Sequence, residues 1–450
     1  MLNIKDKAMS EIKPSWPKIF LFYFFLIIFT LILLIIVLEV FAVIMVYYKG
    51  VYLDEINPDY YDRLADLDPA YYGDSQVAYS FHKSYGWLHI PGSKFFYRGF
   101  HYPRAEFRIP FQTNHLGFRS GRDYKGDDSA KIRIAIIGDS FVQALQVREE
   151  HSFPKVLESY FRKKGLDTFV YNFGISSTGT AHQYRIFEQE VLPIRPHLVV
   201  LAFFHNDLID NCPAYSHEEV YLFPSYERYA NGEIRVKDFD AYMSWPLVIH
   251  YDGSAAPLTL PKYLVPVIRS LSVLKKKMPL LFLKCAHAFL VDKYVAKTDY
   301  DPEFDVYRME YPRVLQNAVK ITFQLIRQIK EKCNKRNIGF MIVMIPSREQ
   351  VIPGLWEQYL YQRRRILNPE WFDTGKPYRL LAEFLQREGI PYLDLSELFS
   401  KESNIDSFYY SYDMHFNRKG HDKAGQAIAA FIENELLQDE STFNHPPFLR

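Results

Sequence analysis

One short stretch does most to fix what this chain can fold into: Ile132-Arg-Ile-Ala-Ile-Ile-Gly-Asp-Ser140. Ile132 to Ile137 is a β-branched, nearly all-apolar run, the pattern of a strand buried on both faces, as in a parallel sheet. It stops at Gly138-Asp139-Ser140, where glycine permits a tight turn and the serine is delivered at the strand's carboxyl end. In open α/β sheets, ligands bind at that edge. A helix-like segment follows, so the spacing predicts Ser140 near a helix N-terminus, whose free N–H groups favour negative charge. That position suits a nucleophile whose reaction builds an oxyanion.

The pattern then repeats as strand and helix. Phe153, Val156, Leu157, Tyr160 and Phe161 recur at helical spacing. Thr168 to Phe173 reads as a second strand, and Thr180 to Leu192 as a helix closed by Pro193 and Pro196. Leu198 to Phe204 is a third buried strand, ending at His205-Asn206-Asp207. Leu315, Val319, Ile326 and Ile329 share one face of a long helix before a fourth strand, Ile338 to Ile345. A helix over Tyr378 to Arg387, a short strand over Tyr392 to Leu395 and an amphipathic helix containing Ala424 to Ile432 complete the series. Alternation of this kind predicts a three-layer α/β/α sandwich around a parallel five-stranded sheet. The link between the third and fourth strands is too long for a simple crossover, so residues 213–311 read as an insertion. Within it, Leu264 to Val291 suits a helical cap or an amphipathic element on a bilayer.

Ile19 to Tyr48 is almost uninterruptedly apolar, with Glu39 its one charge, and is long enough to span a bilayer. Glu39 fits either a helix–helix contact in the membrane or a position near the outer interface within reach of water. Lys5, Lys7, Lys13 and Lys18 precede the run and the acidic stretch Asp54 to Asp68 follows it. The positive-inside rule then predicts a cytoplasmic tail (1–18), a single-pass signal anchor (19–48) and an extracytoplasmic, or periplasmic, remainder. A cleaved signal peptide would have a shorter apolar region and a small-residue cleavage site. Residues 49–130 read as a membrane-proximal segment of short strands and turns, with Asn114 to Arg119 as a turn leading to the main domain. That domain is expected over 131–437, with a tail at 438–450. A net charge of +1 without a basic stripe argues against a nucleic-acid partner. The three cysteines, Cys212, Cys285 and Cys333, are too few and too widely spaced for a disulfide framework or a zinc knuckle.

Four landmarks stand just past strand ends or near the C-terminus: Ser140, Gly174, Asn206 and Asp413-Met-His415. Gly138-Asp139-Ser140, Asn172-Phe-Gly174, Asn206-Asp207 and Asp413 with His415 together resemble the blocks of the SGNH hydrolases, the GDSL esterase superfamily. The resemblance covers roughly residues 131–437. The approach Asn114-His-Leu-Gly-Phe-Arg119 also looks like that of membrane-anchored members. Two departures are visible. Phe204 stands where the third block usually has glycine, and the last block is Asp-x-His rather than Asp-x-x-His. The second leaves Asp413 and Asp406 as alternative partners for His415.

The resemblance implies an SGNH, flavodoxin-like fold and a serine mechanism without cofactor or metal. Ser140 would be the nucleophile, His415 its base and Asp413 the orienter of the imidazole. The N–H groups of Ser140 and Gly174 and the amide of Asn206 would form the oxyanion hole. Asn206 could instead simply cap the next helix. Asp139, His182 and His205 are candidate substrate contacts. A metal site of His205, Asp207, Asp413 and His415 lacks any compact ligand spacing. The expected activity is that of a membrane-anchored carbohydrate O-acetylesterase or O-acyltransferase, acting on ester-linked acyl groups of a glycan. The alternative is a catalytically inactive glycan-binding or assembly protein on the same fold. A membrane-protein partner is left unspecified.

Overall fold

In the computed structural model, the described residues are 16–49, 79–82, 84–89, 91–98, 106–124, 132–211, 226–229, 233–237, 248–249, 255–256, 305–362, 369–411 and 413–436. Residues 1–15 of the expected cytoplasmic tail, the segment 50–78, the element Leu264 to Val291 and the tail 438–450 lie outside them, as do Cys212 and Cys285. Residues 1–64 with 259–297 form one compact unit, and 65–258 with 298–450 form another.

In the first unit, Trp16–Lys49 is one continuous helix. Its stretch Ile19–Phe41 has a mean hydropathy of 3.3 and buries none of its surface in the protein. At 1.5 Å per residue that stretch is about 35 Å long, enough to cross a hydrocarbon core. The chain thus has an N-terminal helix fit to be a single-pass membrane anchor.

The second unit is built on five parallel strands: β1 Ile132–Gly138, β2 Thr168–Gly174, β3 Leu198–Phe203, β4 Gly339–Met344 and β5 Tyr392–Asp394. Their order across the sheet is β5-β4-β3-β1-β2. Successive side chains face opposite layers, and the core divides accordingly. Ala135, Ile137, Val199, Leu201, Ile342 and Met344 pack with helices Thr180–Ile186, Arg313–Asn334 and Lys376–Glu388. Ile134, Ile136, Val200, Ala202, Met341 and Val343 pack with Phe153–Lys163 and Arg418–Phe431. Two apolar layers around one sheet are the three-layer sandwich the sequence predicts. The order in which strands are added reverses between β1 and β3, so the sheet opens a crevice at the carboxyl ends of those two parallel strands.

Local outcomes differ from the sequence reading in two places. The helix expected over Thr180 to Leu192 is α-helical only to Ile186, then widens into a π-turn over Phe187–Val191. The helix after Ser140 is a single turn, Ser140–Gln143, stopped by left-handed Ala144 at φ 56°. So short a helix offers N–H groups but little dipole.

The segment before the sheet is two antiparallel hairpins, Tyr79–His82 with Gly86–His89 and Lys94–Arg98 with Arg108–Gln112. Asn114 then turns the chain, its Oδ1 accepting from the N–H groups of Leu116 and Phe118 at 3.0 and 3.1 Å. Gly117 takes φ +91°, where a side chain would strike the His89 carbonyl. This turn buries Phe118 against Phe173, with ring centres 4.9 Å apart. Part of the expected insertion is also described. Tyr226–Arg228 pairs with Ile234–Val236, and Ile234 and Val236 join the core beside Arg313–Asn334. Cys333 is a buried free thiol, pushed up to about 12 by that burial.

Candidate active site

Ser140 begins the turn of helix at the carboxyl end of β1, and Asp139 caps it by accepting from the Phe141 N–H at 2.9 Å. Close packing of β1 on β2 leaves no room behind this turn. A Cβ on Gly174 would collide with the Gln143 nitrogen and lie 2.6 Å from the Val142 carbonyl carbon. Backbone cannot yield as a side-chain tip can. Gly174→Ala should therefore destabilise the domain by about 2–4 kcal/mol, within the range of overpacking and backbone strain. Chemical denaturation with wild-type stability would contradict that.

The His415 imidazole reaches this turn from the C-terminal part of the chain. Its Nε2 lies 2.7 Å from Ser140 Oγ, and its Nδ1 lies 2.7 Å from Asp413 Oδ1. Asp413 can only accept, so Nδ1 carries the proton and Nε2 is left to accept from the serine hydroxyl. The two-residue spacing works because Met414 takes a left-handed φ of 67°, which folds the loop back and brings carboxylate and imidazole together. Burial alone would lower the His415 pKa, but the hydrogen bond and charge of Asp413, with Asp139 beyond, outweigh it and leave it raised. Asp406, the alternative partner, pairs with Arg348 at 3.0 Å instead. The imidazole packs on Phe141, 4.8 Å between centres, and Phe141 packs on Phe204 at 4.7 Å. Phe204, the departure from glycine, thus forms an apolar wall beside the serine.

Asn206 opens the short helix Asn206–Asp210 after β3, and its Nδ2 donates to Asp210 Oδ2 at 3.1 Å. The same amide also hydrogen-bonds the Asp139 carboxyl, which acts to lower the pKa that burial raises there. Three carboxyls crowd this amide's surroundings. Burial pushes Asp139 up to about 6 and Asp210 up to about 8, and it raises Asp207 well above the usual range. Burial and mutual repulsion keep these acids from all ionising together.

Three expectations need correction. Gly174 does not offer a free N–H, since that group donates to Asn172 Oδ1 at 2.9 Å. Asp139 is 1% exposed and occupied in capping, so it is no substrate contact. His182 is equally buried, its ring 4.8 Å from that of Trp87. His205 is half-buried, with the hydroxyls of Tyr378 and Tyr307 each 3.2 Å from its ring nitrogens. Burial lowers its pKa to about 3, so it stays neutral. Past β2, the Ile175 N–H goes to the Gly138 carbonyl and the Ser176 N–H to Gln143 Oε1. Ser177 follows at φ 59°, a left-handed conformation that a serine rarely adopts, and its N–H finds no acceptor among the described residues. Strain of this kind gathers at functional sites. The small, polar run Ser176-Ser-Thr-Gly179 was the one hint of it in the sequence. Among the described residues, no group of three or more His, Cys, Asp or Glu is placed to hold a metal ion.

Sheet order, serine turn and histidine loop are arranged as the resemblance to the SGNH hydrolases implies. Residues 307–445, which contain Asp413 and His415 but not Ser140, match the family model described as the SGNH hydrolase-like domain of the acetyltransferase AlgX. Solved structures similar to the chain include a lipase/acylhydrolase from Enterococcus faecalis, 13% identical, with 67% of this chain and 95% of that one covered at a TM-score of 0.33. An acetyl xylan esterase, AlAXEase, is 12% identical over 67% of this chain and 100% of its own, at 0.34. A GDSL-like lipase from Bacteroides thetaiotaomicron is 12% identical over 69% and 92%, at 0.33. No curated protein matches the chain.

Proposed function

We propose that this protein is a membrane-anchored, extracytoplasmic serine enzyme that removes or transfers O-acetyl groups on a glycan. The observation that carries the reading is the unbroken chain from Ser140 Oγ through His415 to Asp413, with both links at 2.7 Å. A serine hydroxyl is a poor nucleophile at neutral pH and needs such a base within reach. His415 takes the proton as Oγ attacks the ester carbonyl and returns it to the leaving alcohol. Asp413 holds the tautomer and stabilises the imidazolium. The developing O⁻ is received by the Ser140 N–H, which has no acceptor among the described residues, and by the amide of Asn206. Gly174 would supply a third donor only by giving up its bond to Asn172 Oδ1. Each donor contributes about 3–4 kcal/mol to the transition state. Collapse of the intermediate expels the alcohol and leaves acyl-Ser140, which water or a sugar hydroxyl then attacks.

The apolar wall of Phe141 and Phe204 suits a small acyl group. The match to a domain named for an acetyltransferase supports acetyl as that group. The apolar helix and the lysines before it support an anchor with the enzyme outside. The anchor and the outward topology point to a glycan of the cell surface as the acyl carrier.

The test uses detergent-solubilised full-length protein, p-nitrophenyl acetate as donor, and an O-acetylated or acceptor glycan followed by mass spectrometry. Wild type is expected to release nitrophenol and to alter the acetyl content of the glycan. Ser140→Ala is expected to do neither and to lose labelling by a fluorophosphonate. Full turnover by Ser140→Ala would end the catalytic reading, and ester cleavage without any change in glycan would end the glycan reading.

A further inference from the structure

We propose that Glu106, from the segment ahead of the sheet, is a positioning residue that holds the Asp413–His415 pair against Ser140; this rests on the catalytic reading above. The Glu106 carboxylate spans the tip of the histidine loop. One oxygen accepts from the Ser411 N–H at 2.8 Å and the other from the Asp413 N–H at 2.9 Å. Hydrogen bonds to a charged acceptor are about twice as strong as neutral ones, and two from one planar group also fix orientation.

The loop needs such a hold. Its base is closed by the bridge of Tyr409 to Phe416 and by the Tyr410 N–H donating to the His415 carbonyl at 2.9 Å. Its tip contains left-handed Met414, which is half-exposed and held against its own backbone preference. An unheld loop would relax at Met414, and relaxation there swings the Asp413 carboxylate off Nδ1. The same segment grips the loop a second time, since the Phe107 ring lies 4.8 Å from that of Tyr410. Tyr410 in turn donates from its hydroxyl to the Gln146 carbonyl at 3.0 Å, in the stretch just beyond Ser140. The segment before the sheet therefore ties the base to the nucleophile.

Glu106→Ala removes both acceptors. Glu106→Gln keeps one and turns an NH₂ toward the other N–H, donor against donor. Displacement of a reacting group by about 1 Å costs on the order of 100-fold in rate. Both variants should therefore lose about 100-fold in kcat for p-nitrophenyl acetate with KM little changed. Wild type should show a downfield Nδ1–H proton resonance of His415, from its 2.7 Å bond to Asp413, and both variants should lose it. In a His415→Ala background, Glu106→Ala should cost nothing further, because its effect runs through the imidazole. The proposal is overturned if Glu106→Ala keeps wild-type kcat, if its resonance is unchanged, or if it costs the same factor with His415 absent, as a purely structural role would. Failure of the catalytic reading looks different: Ser140→Ala would keep wild-type turnover, while the resonance would still report on Glu106.

Discussion

Asp413→Asn is expected to lower kcat by about ten-thousand-fold, the loss typical when the orienting carboxylate of such a triad becomes an amide. The carboxylate can only accept, so it fixes the proton on Nδ1 of His415, 2.7 Å away. An asparagine can turn its NH₂ toward the ring. The imidazole would then take the other tautomer, with its proton on Nε2, facing Ser140 Oγ at 2.7 Å with nothing to accept the serine's proton. The pH profile should change as well. In wild type the base is active only when neutral, so kcat/KM falls as pH drops through a pKa raised above 6.5. Burial acts to lower that pKa, while Asp413 and Asp139 raise it. Without the Asp413 charge the balance tips toward burial, and the acid limb of the residual activity should move to lower pH. Asp406→Asn is the control. Its carboxylate is largely exposed and paired with Arg348, so about 1 kcal/mol or less of stability is at stake, and kcat should hold. Steady-state rates across the acid-to-neutral range decide the matter. An unshifted acid limb, or an Asp406→Asn as damaged as Asp413→Asn, would give the orienting role to another group.

The sheet was legible because its strands are short apolar runs with sharp ends. Ile132–Gly138, Thr168–Gly174 and Leu198–Phe203 begin where the sequence predicts and end within a residue of it. Such runs carry their own signal, since only burial on both faces accounts for them. Ser140 and His415 were legible for a related reason: each follows a recognisable landmark in the chain. What escaped was whatever depends on three-dimensional contact between distant residues. No pattern links Glu106 to residues 411 and 413, or marks the Gly174 N–H as already taken by Asn172. The left-handed turns at Ser177 and Met414 were hidden as well, because neither is glycine. Propensity predicts where strain is absent, and this site uses strain at two of its loops.

Arg119→Met should destabilise the domain by about 3–5 kcal/mol, the cost of leaving buried carbonyls without their guanidinium donor. Arg119 closes the turn begun by Asn114 and is 1% exposed. Its guanidinium donates from Nη1 to the carbonyls of Gln143, at 2.9 Å, and Ala144, and from Nη2 to that of Val147 at 2.6 Å. These carbonyls lie where the one-turn helix of Ser140 stops at Ala144, with no further turn of helix to supply their N–H donors, although the Ala144 carbonyl also accepts from the Val147 N–H at 3.3 Å. Burial lowers the Arg119 pKa to about 10, which still leaves it charged at neutral pH. Methionine fills much of the volume but leaves these carbonyls without that donor, each at about 1–3 kcal/mol before relaxation. Lysine keeps the charge but not the planar fork, and a single ammonium cannot reach carbonyls spread from residue 143 to 147 as the guanidinium does. Arg119→Lys should therefore recover only part of the loss. Thermal melts of the detergent-solubilised protein should show Arg119→Met lower by about 10 °C, with the lysine variant between it and wild type. The stretch 143–147 continues directly from Ser140, so turnover should fall below the melting transition too, as the nucleophile drifts from His415. If Arg119→Met melts with wild type and turns over at the same rate, the guanidinium is not what holds the serine turn.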